Sequence, residues 1–107
     1  KYVPNHGIKK INMLIQEKIN DKKGMFYVEE AGEILAEMDI SLSPSALTIL
    51  HTEVDEKLKG KNVGLQLVNY AAEYARSQQL IIIPLCPFAK AVFDKRRDEY
   101  TDVLKAH

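Results

Sequence analysis

The chain has 107 residues, 46% of them hydrophobic and 28% charged, which excludes a disordered or collagen-like polypeptide and suits one domain with its own core. Its 15 basic and 15 acidic residues cancel to a formal net charge of zero, unlike the positive balance of a general nucleic-acid binder.

Residues 13–20 (MLIQEKIN) and 25–30 (MFYVEE) are read as two strands, joined by a turn at Asp21-Lys22-Lys23-Gly24. Ala31-Gly32 makes a second turn. Residues 33–42 alternate as a third strand, with Ile34, Ala36, Met38 and Ile40 assigned to one side and Glu33, Glu37 and Asp39 to the other. Ser43-Pro44-Ser45 is a loop, and the β-branched run 46–54 (ALTILHTEV) is a fourth strand. Short strands with tight connections predict an antiparallel meander.

The pattern then changes. Residues 62–79 place Leu67, Val68, Ala71, Ala72 and Ala75 at helical spacing, with Gly60 and Gly64 around the start. The apolar run 80–85 (LIIIPL) predicts a central strand covered on both faces. One helix separates it from the fourth strand, so the two are expected to be parallel. Pro84 fits where such a strand diverges from its neighbour. Pro87 opens a short helix over 88–93, and a last helical turn is expected over 99–105. The order is ββββαβα, an α+β domain.

Cys86 is the single cysteine, so there is no disulfide framework, and His6, His51 and His107 are too scattered for a zinc site; no metal is expected. No apolar run approaches a membrane span and no secretory signal pattern opens the chain, so the expectation is a soluble, cytoplasmic protein without membrane or nucleic-acid partners. Because the first residue is Lys1 and a plausible start occurs at Met13, residues 1–12 are expected to be an N-terminal extension or remnant, with the domain over 13–107.

The most informative stretch is Val54-Asp55-Glu56-Lys57-Leu58-Lys59-Gly60-Lys61-Asn62-Val63-Gly64-Leu65. A strand ends, a polar loop follows, and a helix begins among small or αL-tolerant residues. Such a terminus presents unpaired N–H groups and suits an anion, with Lys57, Lys59 and Lys61 adding charge. Neither the Walker loop nor the three-glycine dinucleotide spacing is present. From the residues alone, a capped helix with solvated lysines fits as well as a phosphate site does.

The loop KGKNVG followed by LQLVNYAAEYAR resembles the acetyl-CoA pyrophosphate loop of the GNAT N-acetyltransferase superfamily, whose pattern is [QR]-x-x-G-x-[GA]. Lys59 stands at the Gln/Arg position, Asn62 at the first Gly and Gly64 at the last. Asn is the non-glycine residue that best tolerates positive φ, so the loop can keep its shape. HTEV at 51–54 and IIPLCPFAKAVF at 82–93 extend the resemblance to the small single-domain GNAT-like proteins, with their H-T-x-V strand and C-x-[FY]-[AV] segment.

The resemblance implies a GNAT-like fold whose fourth and fifth strands splay to admit the pantetheine arm of acetyl-CoA. It places backbone groups of Glu53 and Val54 against pantetheine, and N–H groups of Lys59, Gly60, Lys61, Asn62, Val63, Gly64 and Leu65 on the pyrophosphate. Phe88, Lys90 and Phe93 would lie along the cofactor's other side. It further implies N-acetyl transfer to a cationic primary amine (a protein lysine, a chain terminus or a small polyamine) in a ternary complex.

Within that frame His51 is a candidate base and also an ordinary half-buried strand histidine; Glu53, two residues on, would orient it or act as the base itself. Cys86 is a candidate acid or nucleophile, and equally an inert small hydrophobe. Tyr70 and Tyr74 are assigned to packing, and Tyr100 is a weaker acid candidate. A non-catalytic CoA-binding module and a Cys86-acylated ping-pong enzyme stay open as alternatives, and a monomer or weak homodimer is expected.

The neutral sum hides a segregation. Residues 25–56 carry eight acids and no Lys or Arg, whereas 57–76 carry four basic residues and one acid. That polarity sets the anionic cofactor against the second block and a cationic acceptor against the first.

Overall fold

A computed structural model describes residues 14–105; the proposed extension over 1–12, its boundary at Met13, and His6 and His107 lie outside them. Five strands form one sheet in the order β1-β2-β3-β4-β5: β1 Gln16–Asn20, β2 Lys23–Glu30, β3 Glu33–Leu42, β4 Ala46–Val54 and β5 Ile81–Pro84. The first four are antiparallel and β5 runs parallel to β4. The crossover between those two carries helix α1, Val63–Gln78, and helix α2, Pro87–Lys95, follows β5.

Both helices pack against one face of the sheet. Alternation turns Phe26 and Val28, Met38 and Ile40, and Leu47 and Ile49 toward them, where they meet Leu67, Val68, Ala71, Ala72 and Ala75 of α1 and Phe93 of α2. The small residues of α1 let the helix approach the sheet closely, and each large side chain buried there contributes ~1.5–3 kcal/mol. Tyr70 and Tyr74 pack on Phe26, with ring centroids at 4.9 and 5.5 Å, as their assignment to packing requires. No described helix covers the other face, where Tyr27, Glu37, Asp39, His51 and Glu53 lie.

Two irregularities correct the simple alternation. The β2–β3 register shifts between Val28 and Glu29, opposite an extra residue, Leu35. Ile34, expected inside, is therefore exposed, and Leu35 takes the buried place. The β3–β4 register shifts between Asp39 and Ile40, making Leu50 the extra residue and pairing His51 with Asp39.

Several boundaries also differ. Residues 14 and 15 precede β1 rather than belonging to it, and the β1–β2 turn needs only Asp21 and Lys22, because Asn20 already pairs with Lys23. Helix α2 continues past Phe93 to Lys95. The helical turn expected over 99–105 is shorter: a 3-10 turn, Arg97–Glu99, precedes it, the N–H groups of Val103 and Leu104 both donate to the Tyr100 carbonyl at 3.0 Å, and Leu104 then bridges to Ile82. β5 is the last strand of the sheet and not a central one, and Ile83 is 41% exposed, so the apolar run 80–85 is covered on one face only. The outer edge of β5 needs partners for its polar groups, and the Ile82 N–H finds one in the Val103 carbonyl at 2.7 Å.

Candidate active site

The site begins where β4 and β5 part. Ile49 pairs with Pro84, and the N–H groups of Leu85 and Cys86 both donate to the Ile49 carbonyl, at 3.0 and 3.1 Å. Beyond that point β4 runs on through residues 50–54 with partners on β3 alone. The splay that the GNAT resemblance implied is present, and Pro84, which has no N–H to offer β4, is suited to the place where it begins. One edge of β4 is left open, with a row of backbone groups facing the gap.

Next to the open edge, the chain turns into α1 through a 3-10 turn, Glu56–Leu58, capped by the Asp55 carboxylate, which accepts from the Lys57 N–H at 2.8 Å. Gly60 (φ 82°) and Asn62 (φ 57°) are both left-handed, and Asn62 is the residue from which α1 starts. The tolerance expected of Asn at this loop position is therefore used. The first helical bond, Gln66 N–H to the Asn62 carbonyl at 3.0 Å, leaves the N–H groups of Val63, Gly64 and Leu65 without acceptors inside the helix. Phe88 sits against this terminus: a Cβ on Gly64 would lie 2.7 Å from its Cζ.

These elements enclose a cavity of about 560 Å³. Of the residues assigned to acetyl-CoA, Val54, Lys59, Gly60, Asn62, Val63, Gly64, Leu65 and Phe88 line it. Glu53, Lys61, Lys90 and Phe93 do not. Phe93 is buried in the core edge-on to Tyr100, and Lys90 lies 4.0 Å from Asp94 on the exposed side of α2. Thr52, Leu58, Val92, Lys95 and Arg96 also line the cavity; none of them was assigned a role there, although Thr52, Leu58 and Val92 fall within the quoted motifs. Helical spacing was the available signal, since 92 and 95 follow Phe88 at i+4 and i+7; a helix ended at 93 keeps the first in view and hides the second.

The three candidate catalytic residues fall on two sides of β4. His51 and Glu53 share the open face, with Nε2 and Oε1 3.8 Å apart and both side chains more than half exposed. Glu37 pairs with Glu53 and Asp39 with His51, so carboxylates crowd this face. Burial, then the neighbouring Asp39 and Glu53, raise the Glu37 carboxyl above its ordinary range despite the opposing influence of His51.

Cys86 is not among the residues that line the cavity, but it contacts Thr52, which is. It is 4% exposed and immediately precedes α2, and its thiol donates to Thr52 Oγ1 at 3.5 Å. Burial pushes the thiol up, but its hydrogen bonding with Thr52 and with the backbone of Ala89 and Phe88 outweighs that, and the group ends below its ordinary value. Tyr100 is placed away from acid chemistry: it is 2% exposed, burial raises its hydroxyl above the ordinary value, and it donates to Asn69 Oδ1.

Residues 25–103 match the family model described as GCN5-related N-acetyltransferase. The chain belongs to that family. It is an N-acetyltransferase with the α+β fold that the loop and strand motifs implied. A GCN5-like protein of Staphylococcus aureus, solved by NMR, is 33% identical, with a TM-score of 0.66 over 90% of this chain and 91% of that one. The ribosomal-protein-alanine N-acetyltransferase of Brucella melitensis is 16% identical, with a TM-score of 0.57 over 82% of this chain and 65% of its own. AAC(6')-Iy, solved with the bisubstrate analogue CoA-S-monomethyl-acetylneamine, is 10% identical, with a TM-score of 0.50 over 81% and 62%. The chain thus spans less than two thirds of the last two proteins, whose likeness concerns the fold alone. None of the curated proteins matches the sequence.

Acetyl-CoA is the acyl donor typical of this family, and the residues present fit it. Two left-handed positions turn the backbone into a helix terminus with three free N–H groups, and Gly64 leaves the approach to that terminus without a side chain. The cavity lining adds Lys59, Lys95 and Arg96, with no carboxylate among the described lining residues. Among the described residues no group of His, Cys, Asp and Glu could hold a metal ion, and no helix is long and apolar enough to cross a membrane.

Proposed function

We propose that this acetyltransferase moves the acetyl group of acetyl-CoA directly to a cationic primary amine, within one ternary complex. The observation that carries the reading is the open β4 edge at the β4–β5 divergence, leading into the cavity at the N-terminus of α1. Acetyl-CoA supplies an acetyl thioester; everything else is done by the chain. Backbone groups of residues 50–54 hold the pantetheine arm in the place of a missing strand, and the N–H groups of 63–65 with Lys59 hold the pyrophosphate.

The amine approaches over the open, acidic face, where Glu37, Asp39 and Glu53 favour its protonated form on arrival. His51 accepts the proton that must leave before nitrogen can attack, and Glu53, 3.8 Å away, favours the imidazolium that results. A β4 backbone N–H, with Val54 the candidate, donates to the carbonyl oxygen as negative charge develops. Cys86, with its lowered pKa, returns a proton to the departing thiolate.

A second reading has Cys86 attack the thioester and carry the acetyl group before the amine takes it. It is favoured by the lowered pKa and by the position of the sulfur at the start of α2. Two experiments separate these possibilities. Release of free CoA is measured against a panel of lysine peptides, N-terminal peptides and polyamines; no amine-dependent release removes the transfer reading. Mass spectrometry after quenched incubation with acetyl-CoA alone is expected to show no adduct on Cys86, and an acetylated Cys86 favours the second reading.

A further inference from the structure

We infer that Lys95 and Arg96, at the C-terminal end of α2, recognise the ribose 3'-phosphate of coenzyme A and so make the protein selective for the complete nucleotide. The inference rests on the proposed use of the cavity for acetyl-CoA. The cavity has two walls. One is the loop and first turn of α1, with Lys59 and the helix N–H groups; the other is α2, presenting Phe88, Val92, Lys95 and Arg96.

Charge pairing along α2 and the residues that follow it separates the cations into two sets. Lys90 and Arg97 share Asp94, at 4.0 and 3.3 Å, and neither lines the cavity. Lys95 and Arg96 do line it; Lys95 has no ion pair among the described residues, and Arg96 has only the exposed Glu99, at 3.3 Å. An exposed pair of that kind is weak and exchanges readily for a phosphate, which offers Arg a bidentate partner.

The pyrophosphate is accounted for by the α1 wall, which lies beside the open edge that takes pantetheine. The remaining phosphate of CoA, on the ribose, carries close to two negative charges near neutral pH. It needs cations beyond those of the α1 wall, and Lys95 and Arg96 are the cavity-lining cations that do not belong to that wall.

The test is calorimetric titration of the chain and of its Lys95→Ala/Arg96→Ala variant with CoA and with 3'-dephospho-CoA. The parent chain is expected to bind CoA at least about tenfold more tightly than the dephospho form. The double variant is expected to bind both within about twofold, with its affinity for dephospho-CoA unchanged. A variant that keeps the preference, or that loses affinity equally for both nucleotides, overturns the inference while leaving the cavity's use for CoA intact. No binding of either nucleotide by the parent chain overturns both. The charge-retaining Lys95→Arg/Arg96→Lys variant guards against a folding defect: it is expected to keep the preference, and its loss there would contradict recognition by charge.

Discussion

The thiol of Cys86 donates to the hydroxyl of Thr52, and this contact lies across β4 from the His51–Glu53 pair. Neighbouring residues 51 and 52 thus serve opposite sides of one strand, so the proposed base and the proposed acid meet the reaction from different directions. His51→Ala is expected to lower turnover in a CoA-release assay by roughly 100-fold or more, the range of a lost general base. Cys86→Ala should cost less, about tenfold. The reverse ranking would move the central role to the thiol.

Gly64 and Phe88 are coupled through space. A methyl group at 64 would meet the ring at 2.7 Å, so Gly64→Ala must push Phe88 into the cavity or away from it. The substitution is expected to weaken CoA binding by ~1 kcal/mol, measured by titration, since one displaced ring perturbs the terminus that holds the phosphates. In a Phe88→Ala background the same change should cost less, and equal costs in the two backgrounds would show the residues to be independent.

Asn62 holds the left-handed position from which α1 starts, at φ 57° and ψ 31°. A β-branched side chain cannot adopt that conformation cheaply, so Asn62→Val is expected to lose ~1–2 kcal/mol of stability in a denaturant melt. Asn62→Gly, which restores the residue of the GNAT loop pattern, should be close to neutral. Comparable losses from both would point to the side chain rather than the backbone.

Arg76 joins α1 to the C-terminal segment, donating to Asp102 at 2.6 and 3.1 Å and to the Glu99 carbonyl at 2.9 Å. Its hydrogen bond holds the Asp102 carboxyl below the ordinary range. A depressed carboxylate stabilises the folded state above its unfolded pKa, and the contribution is lost as pH falls through the folded value. Arg76→Ala should therefore lower Tm at neutral pH, with the gap to the parent chain narrowing below about pH 4, the ordinary Asp range. A gap independent of pH would assign the loss to packing alone.

Much of this was legible in the sequence, for local reasons. β3 and β4 were bounded correctly because turn residues fence their apolar runs, and the splay came with the GNAT resemblance, to which Pro84 is suited. The two bulges were not legible, since Ile34 and Leu35 are equally apolar and only pairing with β2 decides which of them faces the core. Likewise nothing local shows that residues 103 and 104 serve the edge of β5, a contact made across the fold. For the site, the α1 loop was read residue by residue, whereas the α2 wall was half missed. Lys95 and Arg96 join it only because that helix runs one more half-turn, closing the cavity opposite Lys59.

The central claim is that the β4–β5 divergence and the first turn of α1 together hold the acyl donor. Titration of ¹⁵N-labelled chain with CoA, followed through its amide resonances, tests it most directly. The largest shifts are expected at Val63, Gly64 and Leu65 and along residues 50–54, saturating together as one site. No shift at millimolar CoA, or shifts centred on the open face around Glu37 and Asp39, would contradict it.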